Sequence, residues 1–312
     1  MRLTLRQLQI FCAVAQAGST TAAAASLALS QSATSAALNE LESVLGARLF
    51  DRVGKRLLQN DSGRALLPLA RALLDAAQAI EGGFAAGEAA LQIDLHLAAS
   101  TTIGNYVLPA LLASFRARVP QARLQLRIAN TLEVVNAVAN FEVDLGLIEG
   151  PCHAAEVAVI PWLEDELVIV AAPTHPLARA AARDKLTVKQ LRQARWLLRE
   201  SGSGTREAVE QVLLPHLHEL RSDLGLGSSE AIKNAAAQGL GLSCLSRHVV
   251  RDLVAARRLA VLATTLPRLT RRFALIHHRR KLLSAALQSF VAHCEAHGPQ
   301  SAQDRRTLAR AS

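Results

Sequence analysis

Apolar positions recur at helical spacing through the first 45 residues. Leu3, Leu5, Leu8, Phe11 and Val14 fall two to three residues apart, which predicts an amphipathic helix over residues 3–17. Gly18 is placed to stop it. Ser19 and Thr20 offer N-caps for a second helix over the alanine run to Leu27, and Ala28-Leu29 makes a short turn. Ser30 caps a third helix from Gln31 to about Leu45, which Gly46 closes. On that third helix Ala33, Ala37, Leu38, Leu41 and Leu45 are expected to face inward. Gln31, Ser35 and Asn39 lie on another side, with Ser32 and Thr34 beside them.

Two helices joined by a tight turn, the second with a small polar outer face, form a helix-turn-helix. Thr20, Gln31, Ser32, Thr34, Ser35 and Asn39 carry amides and hydroxyls suited to base edges and phosphates. The following stretch, ARLFDRVGKRLLQND, sets Arg48, Arg52, Lys55 and Arg56 around Val53-Gly54, as in a basic hairpin lying along a phosphate backbone.

The run GSTTAAAASLALSQSATSAALNELESVLGARLFDR resembles the winged helix-turn-helix of LysR-type transcriptional regulators. Ser19, Ala23-Ala24, Leu27, Ser30-Gln31, Ser35, Leu38, Leu41-Glu42, Leu45-Gly46, Leu49-Phe50 and Arg52 carry the match. Ser32 stands where that family usually has proline, and Ala36 and Ala37 where it often has Arg and Gln. The loss of two long polar side chains shifts the expected base contacts toward Gln31, Ser35 and Asn39.

Leu66, Leu69, Leu73, Ala76 and Ile80 then alternate spacings of three and four, the seam of a two-helix coiled coil. Pro68 is expected to kink this helix or restrict its start. The bland alternative is a core helix of one globular domain. The resemblance implies a linker helix that pairs two subunits into a dimer or tetramer, so that paired heads read a two-fold symmetric promoter site on double-stranded DNA.

Past Gly87 strands and helices alternate, which predicts an open, largely parallel α/β sheet with ligands at the carboxyl ends of strands. Strands are expected at residues 91–97, 124–128, 143–150, 166–173, 195–200, 242–245 and 271–278. Helices are expected at 106–118, 131–140, near 188–193, after Ser201-Gly202-Ser203-Gly204-Thr205, at 228–238 and at 284–297. ELVIVAAPTHPLA and QGLGLSCLSR look like the effector domain of the same family, extending the resemblance over residues 1–297. It implies a periplasmic-binding-protein-like fold of two lobes with a cleft between them.

The expected organisation is a winged helix-turn-helix at 1–58, a linker helix at 59–89 and an effector-binding domain at 90–297. Lobe one takes 90–161 and 267–297, and lobe two 162–266, with crossings near Trp162 and Pro267. Residues 298–312 read as a disordered tail.

Three hydroxyl-rich strand-to-helix turns stand out: Ser100-Thr101-Thr102, Asn130-Thr131, and the turn carrying Ser203 and Thr205. Each is a potential anion site at a helix N-terminus, and each alone is more simply an N-cap. The resemblance implies that they converge on an effector, with Glu149 at the end of its strand near the same cleft. ASTTIGNYVLP is similar to the family branch tied to cysteine and sulfite metabolism. A sulfite-like oxyanion is the first expectation and a small carboxylate the second, with no cofactor or metal. RNA polymerase is the further protein partner implied.

Composition limits the alternatives. Net charge is +9 with pI near 10.2, yet residues 1–58 contribute +3, residues 59–266 −1 and residues 267–312 +7. The basicity therefore lies mostly at the C-terminus, and the DNA reading rests on the helix-turn-helix instead. Aromatic residues make up 3% of the chain, too few for single-strand binding by base stacking. No signal-peptide pattern opens the chain and no apolar run spans a membrane, so a cytoplasmic location is expected. An enzyme is disfavoured: neither GxSxG nor GxGxxG occurs. A solute receptor would lack the first 88 residues. A redox-sensing regulator is the runner-up, although Cys12, Cys152, Cys244 and Cys294 have no close sequence neighbours.

Overall fold

The computed structural model describes residues 3–54, 56–84, 94–222 and 224–297. They divide into two compact units: residues 3–84 with Arg280–Ala285, and residues 94–279 with residues 286–297.

The first unit begins with α1 (Leu5–Ala17), started by a capping box in which Thr4 and Gln7 exchange side-chain and backbone hydrogen bonds. Gly18 ends it at φ +66°, a left-handed cap that glycine adopts without a Cβ clash. Ser19 caps α2 (Thr20–Ser26) and Ser30 caps α3 (Gln31–Leu45), each hydroxyl accepting the amide three residues on. β1 (Phe50–Val53) and β2 (Arg56–Gln59) form an antiparallel hairpin, and α4 (Asp61–Phe84) follows. Leu8, Phe11 and Val14 pack with Ala23, Leu38, Leu41, Leu49, Phe50, Leu67 and Ala70 into one core.

The inward stripe of α3 differs from the expected one. Thr34, Leu38, Leu41 and Glu42 are buried, whereas Ala33 is exposed, Ala37 half-buried and Leu45 39% exposed. Leu38 and Leu41 set the phase because they bury the most apolar surface. Glu42 can follow them inward because its carboxylate accepts the Leu49 amide at 2.8 Å and Arg48 Nη1 at 3.0 Å.

The expected seam on α4 also splits. Leu66 joins Leu67, Ala70 and Leu74 against the core. Leu69, Leu73 and Ile80 remain outward, 49%, 51% and 62% exposed. Pro68 sits inside the helix, which continues through it.

The second unit comprises β3 (Asp94–Ser100), a π-helical turn at Ile103–Val107, α5 (Leu108–Arg118), β4 (Arg123–Ala129), α6 (Thr131–Ala139) and β5 (Leu145–Glu149). Next come β6 (Val157–Ala171), α7 (Pro176–Ala181), α8 (Val188–Arg192), β7 (Leu197–Arg199) and α9 (Gly204–Leu217). β8 (Leu224–Leu226), α10 (Ser229–Ala237), β9 (Ser243–Ser246), α11 (Arg247–Ala255) and β10 (Ala260–Val261) complete lobe two. β11 (Leu269–His278) leads back to lobe one and to α12 (Ala285–Ala296).

The sheet is mixed and not largely parallel. β4, β3 and β5 are parallel, but β6 and β11 pair antiparallel with each other, and β5, β9 and β10 pair antiparallel with them. β6 and β11 are the two strands that join the lobes. Val157–Pro161 pairs with Ala274–His278 on the lobe-one side, and Glu164–Leu167 with Leu269–Arg272 on the other. The register shifts between Arg272 and Ala274. The pairing thus breaks between Pro161 and Glu164 on β6 and between Arg272 and Ala274 on β11. Trp162 is buried there, its indole N–H donating to the Cys294 carbonyl at 2.7 Å and pinning the last helix to the crossing.

Residues 91–93 and 298–312 lie outside the described residues. Lobe two has its own core around Trp196, with Leu191, Leu198, Val209, Leu213 and Leu242. Lobe one packs Val134, Val138, Ile148 and Ile276.

Glu42→Ala should strand the buried Leu49 amide and lower the stability of the first unit by about 1–3 kcal/mol. Urea titration of the full chain followed by far-UV circular dichroism reads the loss. Wild-type stability would show that the carboxylate is dispensable.

Candidate functional site

In the first unit, Gln31, Ser32, Ala33, Ala36, Asn39 and Glu40 of α3 are exposed, and Ser35 is half-buried. Gln31 Nε2 lies 3.3 Å from both Thr20 Oγ1 and Ser35 Oγ, which ties α2 to the outer face of α3. Thr34 is a correction. It is fully buried and donates to the Ser30 carbonyl at 3.0 Å, so it faces the core and cannot reach a base. Arg48 is exposed but held by Glu42. Arg52 on β1 and Arg56 on β2 are exposed on the hairpin, on either side of Gly54 at φ +62°. Lys55 lies outside the described residues.

In the second unit, the predicted cleft residues sit on elements that meet between the lobes. Thr102 and Thr205 are buried and converge on a residue not anticipated, Arg271 of β11. Its side chain is 3% exposed. Nε donates to Asp165 Oδ2 at 2.8 Å, directly across the strand pair. Nη1 donates to Thr205 Oγ1 at 3.0 Å and Nη2 to Thr102 Oγ1 at 3.2 Å. Glu149 Oε2 lies 3.1 Å from Nη2, and Glu149 Oε1 accepts from Thr205 Oγ1 at 2.7 Å. Ser246 Oγ donates to Asp165 Oδ1 at 2.7 Å. Glu149 is therefore answered by Arg271 and does not confront the cleft as an unpaired charge.

Glycine permits this closeness. A Cβ on Gly204 would lie 1.8 Å from the Glu149 carbonyl oxygen and 2.3 Å from Thr131 Oγ1. Thr131 donates to that same carbonyl at 3.0 Å. Ser203 is the buried N-cap of α9, and Asn130 caps α6. Ser100 Oγ is buried with no hydrogen-bond partner among the described residues.

A second arginine closes the other side. Arg199 ends β7 and is 2% exposed. Nη1 donates to Thr101 Oγ1 and to Ser229 Oγ, both at 2.9 Å; Nε and Nη2 each reach a Glu200 carboxylate oxygen at 2.7 Å. Burial pulls the Glu200 carboxyl upward, but Arg199 and the Asn130 side chain more than offset this and hold it below the usual range. Lys233 of α10 makes a third bridge: its Nζ lies 3.0 Å from Asp252 Oδ2 and 5.7 Å from the centre of the Tyr106 ring in lobe one.

Sequence reasoning finds the hydroxyls and misses Arg199, Arg271, Asp165, Ser229, Lys233 and Ser246. The available signal is a charge inside apolar strand text, Arg199 in RWLLRE and Arg271 in RRFALIHH. Buried charges need partners, and the partners here are distant in sequence.

None of the four cysteines is in a disulfide. Burial pushes the Cys244 and Cys294 thiols up to about 12, away from the thiolate a peroxide sensor needs. Cys12 and Cys152 are half-buried.

A winged helix-turn-helix head joined to a two-lobed cleft domain defines a ligand-responsive transcription regulator. Two family models match the chain: the bacterial regulatory helix-turn-helix protein, lysR family, over residues 5–64, and the LysR substrate binding domain over residues 90–299. The chain belongs to the LysR family of transcriptional regulators, and it is not an enzyme.

It is 52% identical over 295 residues to the uncharacterized HTH-type transcriptional regulator YeiE of Escherichia coli (strain K12), covering 95% of this chain and 98% of that one. It is 33% identical over 270 residues to the HTH-type transcriptional regulator CysL of Bacillus subtilis (strain 168), 86% and 89% of the two chains. A full-length OxyR variant from Pseudomonas aeruginosa shares the fold, with a TM-score of 0.80 at 23% identity over 95% of each chain. The Synechocystis PCC6803 CcmR regulatory domain in complex with 2-PG aligns with a TM-score of 0.59 at 33% identity, covering 66% of this chain and 97% of that one. Among the described residues, no helix is long and apolar enough to cross a membrane.

Arg271→Met should leave Glu149 and Asp165 as unpaired buried carboxylates and cost roughly 3–5 kcal/mol. Gly204→Ala should cost roughly 1–3 kcal/mol by forcing Glu149 and Thr131 away. Both tryptophans, Trp162 and Trp196, lie in the second unit, so their fluorescence in urea reports these changes selectively. Unchanged midpoints would refute the packing described for the lobe contact.

Proposed function

We propose that the protein is a cytoplasmic, homodimeric or homotetrameric regulator that binds an inverted repeat near a promoter and responds to a small oxyanion in the interlobe cleft. Sulfite is the first choice of ligand and a small carboxylate the second. The reading follows the similarity of ASTTIGNYVLP to the cysteine and sulfite branch; by overall identity CysL at 33% stands level with the RuBisCO operon transcriptional regulator of Allochromatium vinosum at 33%. The CcmR regulatory domain, at the same identity, was solved with 2-PG bound.

The observation that carries the effector reading is the concentration of hydroxyl and cationic donors at the lobe contact. Thr101 bonds the buried guanidinium of Arg199, and Thr102 and Thr205 bond that of Arg271, with Glu149 as counter-charge; Ser100, Asn130, Thr131 and Ser203, on the same strand-to-helix turns, complete the proposed effector site. Donors of this kind hold an oxyanion by charge-assisted hydrogen bonds. A ligand moves the heads only if it binds one lobe arrangement more tightly than another. The DNA reading uses Gln31, Ser32, Ser35 and Asn39 at base edges, with Thr20 beside them and Arg52, Lys55 and Arg56 on phosphates. Arg48 contributes field but is partly committed to Glu42. The outward Leu69, Leu73 and Ile80 of α4 serve pairing of subunits. RNA polymerase is the partner at the promoter.

The redox alternative gains nothing from the two buried cysteines, since their thiols are shifted away from reactivity.

Calorimetric titration of the full chain with sulfite, sulfate, thiosulfate and small carboxylates tests the ligand class. One oxyanion should bind at a single site and raise the Tm, by about 2.7 kcal/mol of stabilisation at 100 times its Kd. If only flat aromatic acids bind, the oxyanion reading is wrong. For the DNA half, Arg52→Ala and Arg56→Ala should each weaken binding to all sequences alike and lower the salt slope by about one. Unchanged salt dependence would remove the hairpin from the interface.

A further inference from the structure

Arg199 has an unusual partner. A guanidinium that is 2% exposed must be neutralised by a nearby anion. The neutralising group is the carboxylate of the next residue, Glu200, whose side chain remains 31% exposed. Neighbours on a regular strand point to opposite faces. β7 ends at Arg199, so Glu200 lies beyond it and folds back to place both oxygens on its neighbour's fork, each at 2.7 Å.

The surroundings are those of an anion receptor and not of a simple surface pair. The remaining Arg199 nitrogen is positioned by Thr101 Oγ1 from lobe one and Ser229 Oγ from lobe two, each at 2.9 Å. The Asn130 side chain, from lobe one, favours the charged form of the same Glu200 carboxylate. The carboxylate is thus bonded through a guanidinium that itself touches both lobes, while the Glu200 side chain remains partly exposed. Gly202, at φ +83°, turns the chain immediately after, and its carbonyl accepts the Leu132 amide at 3.1 Å. Glu200 lies beyond the end of β7 with its side chain 31% exposed, whereas the Arg199 side chain is 2% exposed.

The geometry points to Glu200 as a built-in counter-anion that occupies the receptor formed by Arg199 and Asn130 until a small oxyanion displaces it. This rests on the oxyanion reading above and adds which cation receives the ligand and what the ligand must expel. The ligand class follows from the fork: an anion that presents two oxygens side by side, such as sulfite, sulfate, phosphate or a carboxylate. With a carboxylate ligand the charge at Arg199 is unchanged by the exchange; sulfate, sulfite or phosphate brings up to one further negative charge. What changes in every case is the tether: the bridging anion is covalently attached to lobe two in one state and free in the other. A ligand that must displace a resident group binds more weakly by the fraction of time the receptor is open.

The test uses the full chain as wild type, Glu200→Ala, Glu200→Gln and Arg199→Lys, titrated with sodium sulfite, sulfate, phosphate and acetate at ionic strength fixed by chloride. Glu200→Ala should bind the preferred oxyanion about tenfold more tightly or better, with Glu200→Gln intermediate. In chloride alone Glu200→Ala should have a lowered Tm, because Arg199 has lost its counter-charge, and the preferred oxyanion should restore it. Arg199→Lys, which keeps the charge but not the fork, should lose affinity. Wild-type or weaker affinity in Glu200→Ala, alongside clear binding by the wild type, would overturn the displacement and leave the oxyanion site standing. Binding by Glu200→Ala but not by the wild type would support a mask that is nearly always closed. If none of the four proteins binds any of the four anions, the oxyanion reading itself falls and the displacement with it.

Discussion

Arg271 sits where the two lobes become one structure. Its guanidinium is shut away from water on one of the two strands that join them, and a charge so placed must find its partners inside the protein. It takes Asp165 from the paired strand, Thr102 and Glu149 from lobe one and Thr205 from lobe two. The shift of register between Arg272 and Ala274, and the glycine that lets α9 start against the Glu149 carbonyl, belong to the same arrangement. The residues that look like ligand donors in the sequence are therefore also the residues that hold the lobes together. An effector acting here competes with, or adds to, bonds that already set the lobe geometry, which is how a small molecule gains leverage over a much larger body.

A parallel device operates in the DNA-binding unit at smaller scale. Glu42 is buried because it closes off the Leu49 amide at the approach to the hairpin and holds Arg48 on its outer side. It follows Leu38 and Leu41 inward on the same face of α3. With Thr34 and Glu42 turned in, the polar surface left on α3, proposed above for DNA, is Gln31, Ser32 and Asn39 with half-buried Ser35. That surface has few long side chains, so phosphate contact and shape should weigh heavily in binding.

Much of this is legible from text alone, for local reasons. Caps such as Ser19 and Ser30 and the stop at Gly18 depend on residues three or four apart, and they fall where the spacing predicts. The alternation of strands and helices is equally readable. The phase of α3 misleads because alanine is indifferent to burial: Ala33 and Ala37 look apolar but bury little surface, so two leucines decide. The seam of α4 misleads because one helix carries two apolar faces, with Leu66 taken by its own core while Leu69 and Leu73 are not. The antiparallel character of β6 and β11 is invisible in the text because pairing direction is a property of two strands and not of one.

The sequence by itself determined the head, its turn, its basic hairpin and the hydroxyl-rich strand ends, since each is written in a few consecutive residues whose conformational preferences act at short range. Only the tertiary structure decided what those hydroxyls do. Thr101 meets Arg199 across 98 positions and Thr102 meets Arg271 across 169. Such pairings cost chain entropy to form and recover it only when burial strengthens the interaction between charge and donor. No local pattern encodes them; they exist because the fold brings the two lobes into contact over a dry interior where every charge must be answered.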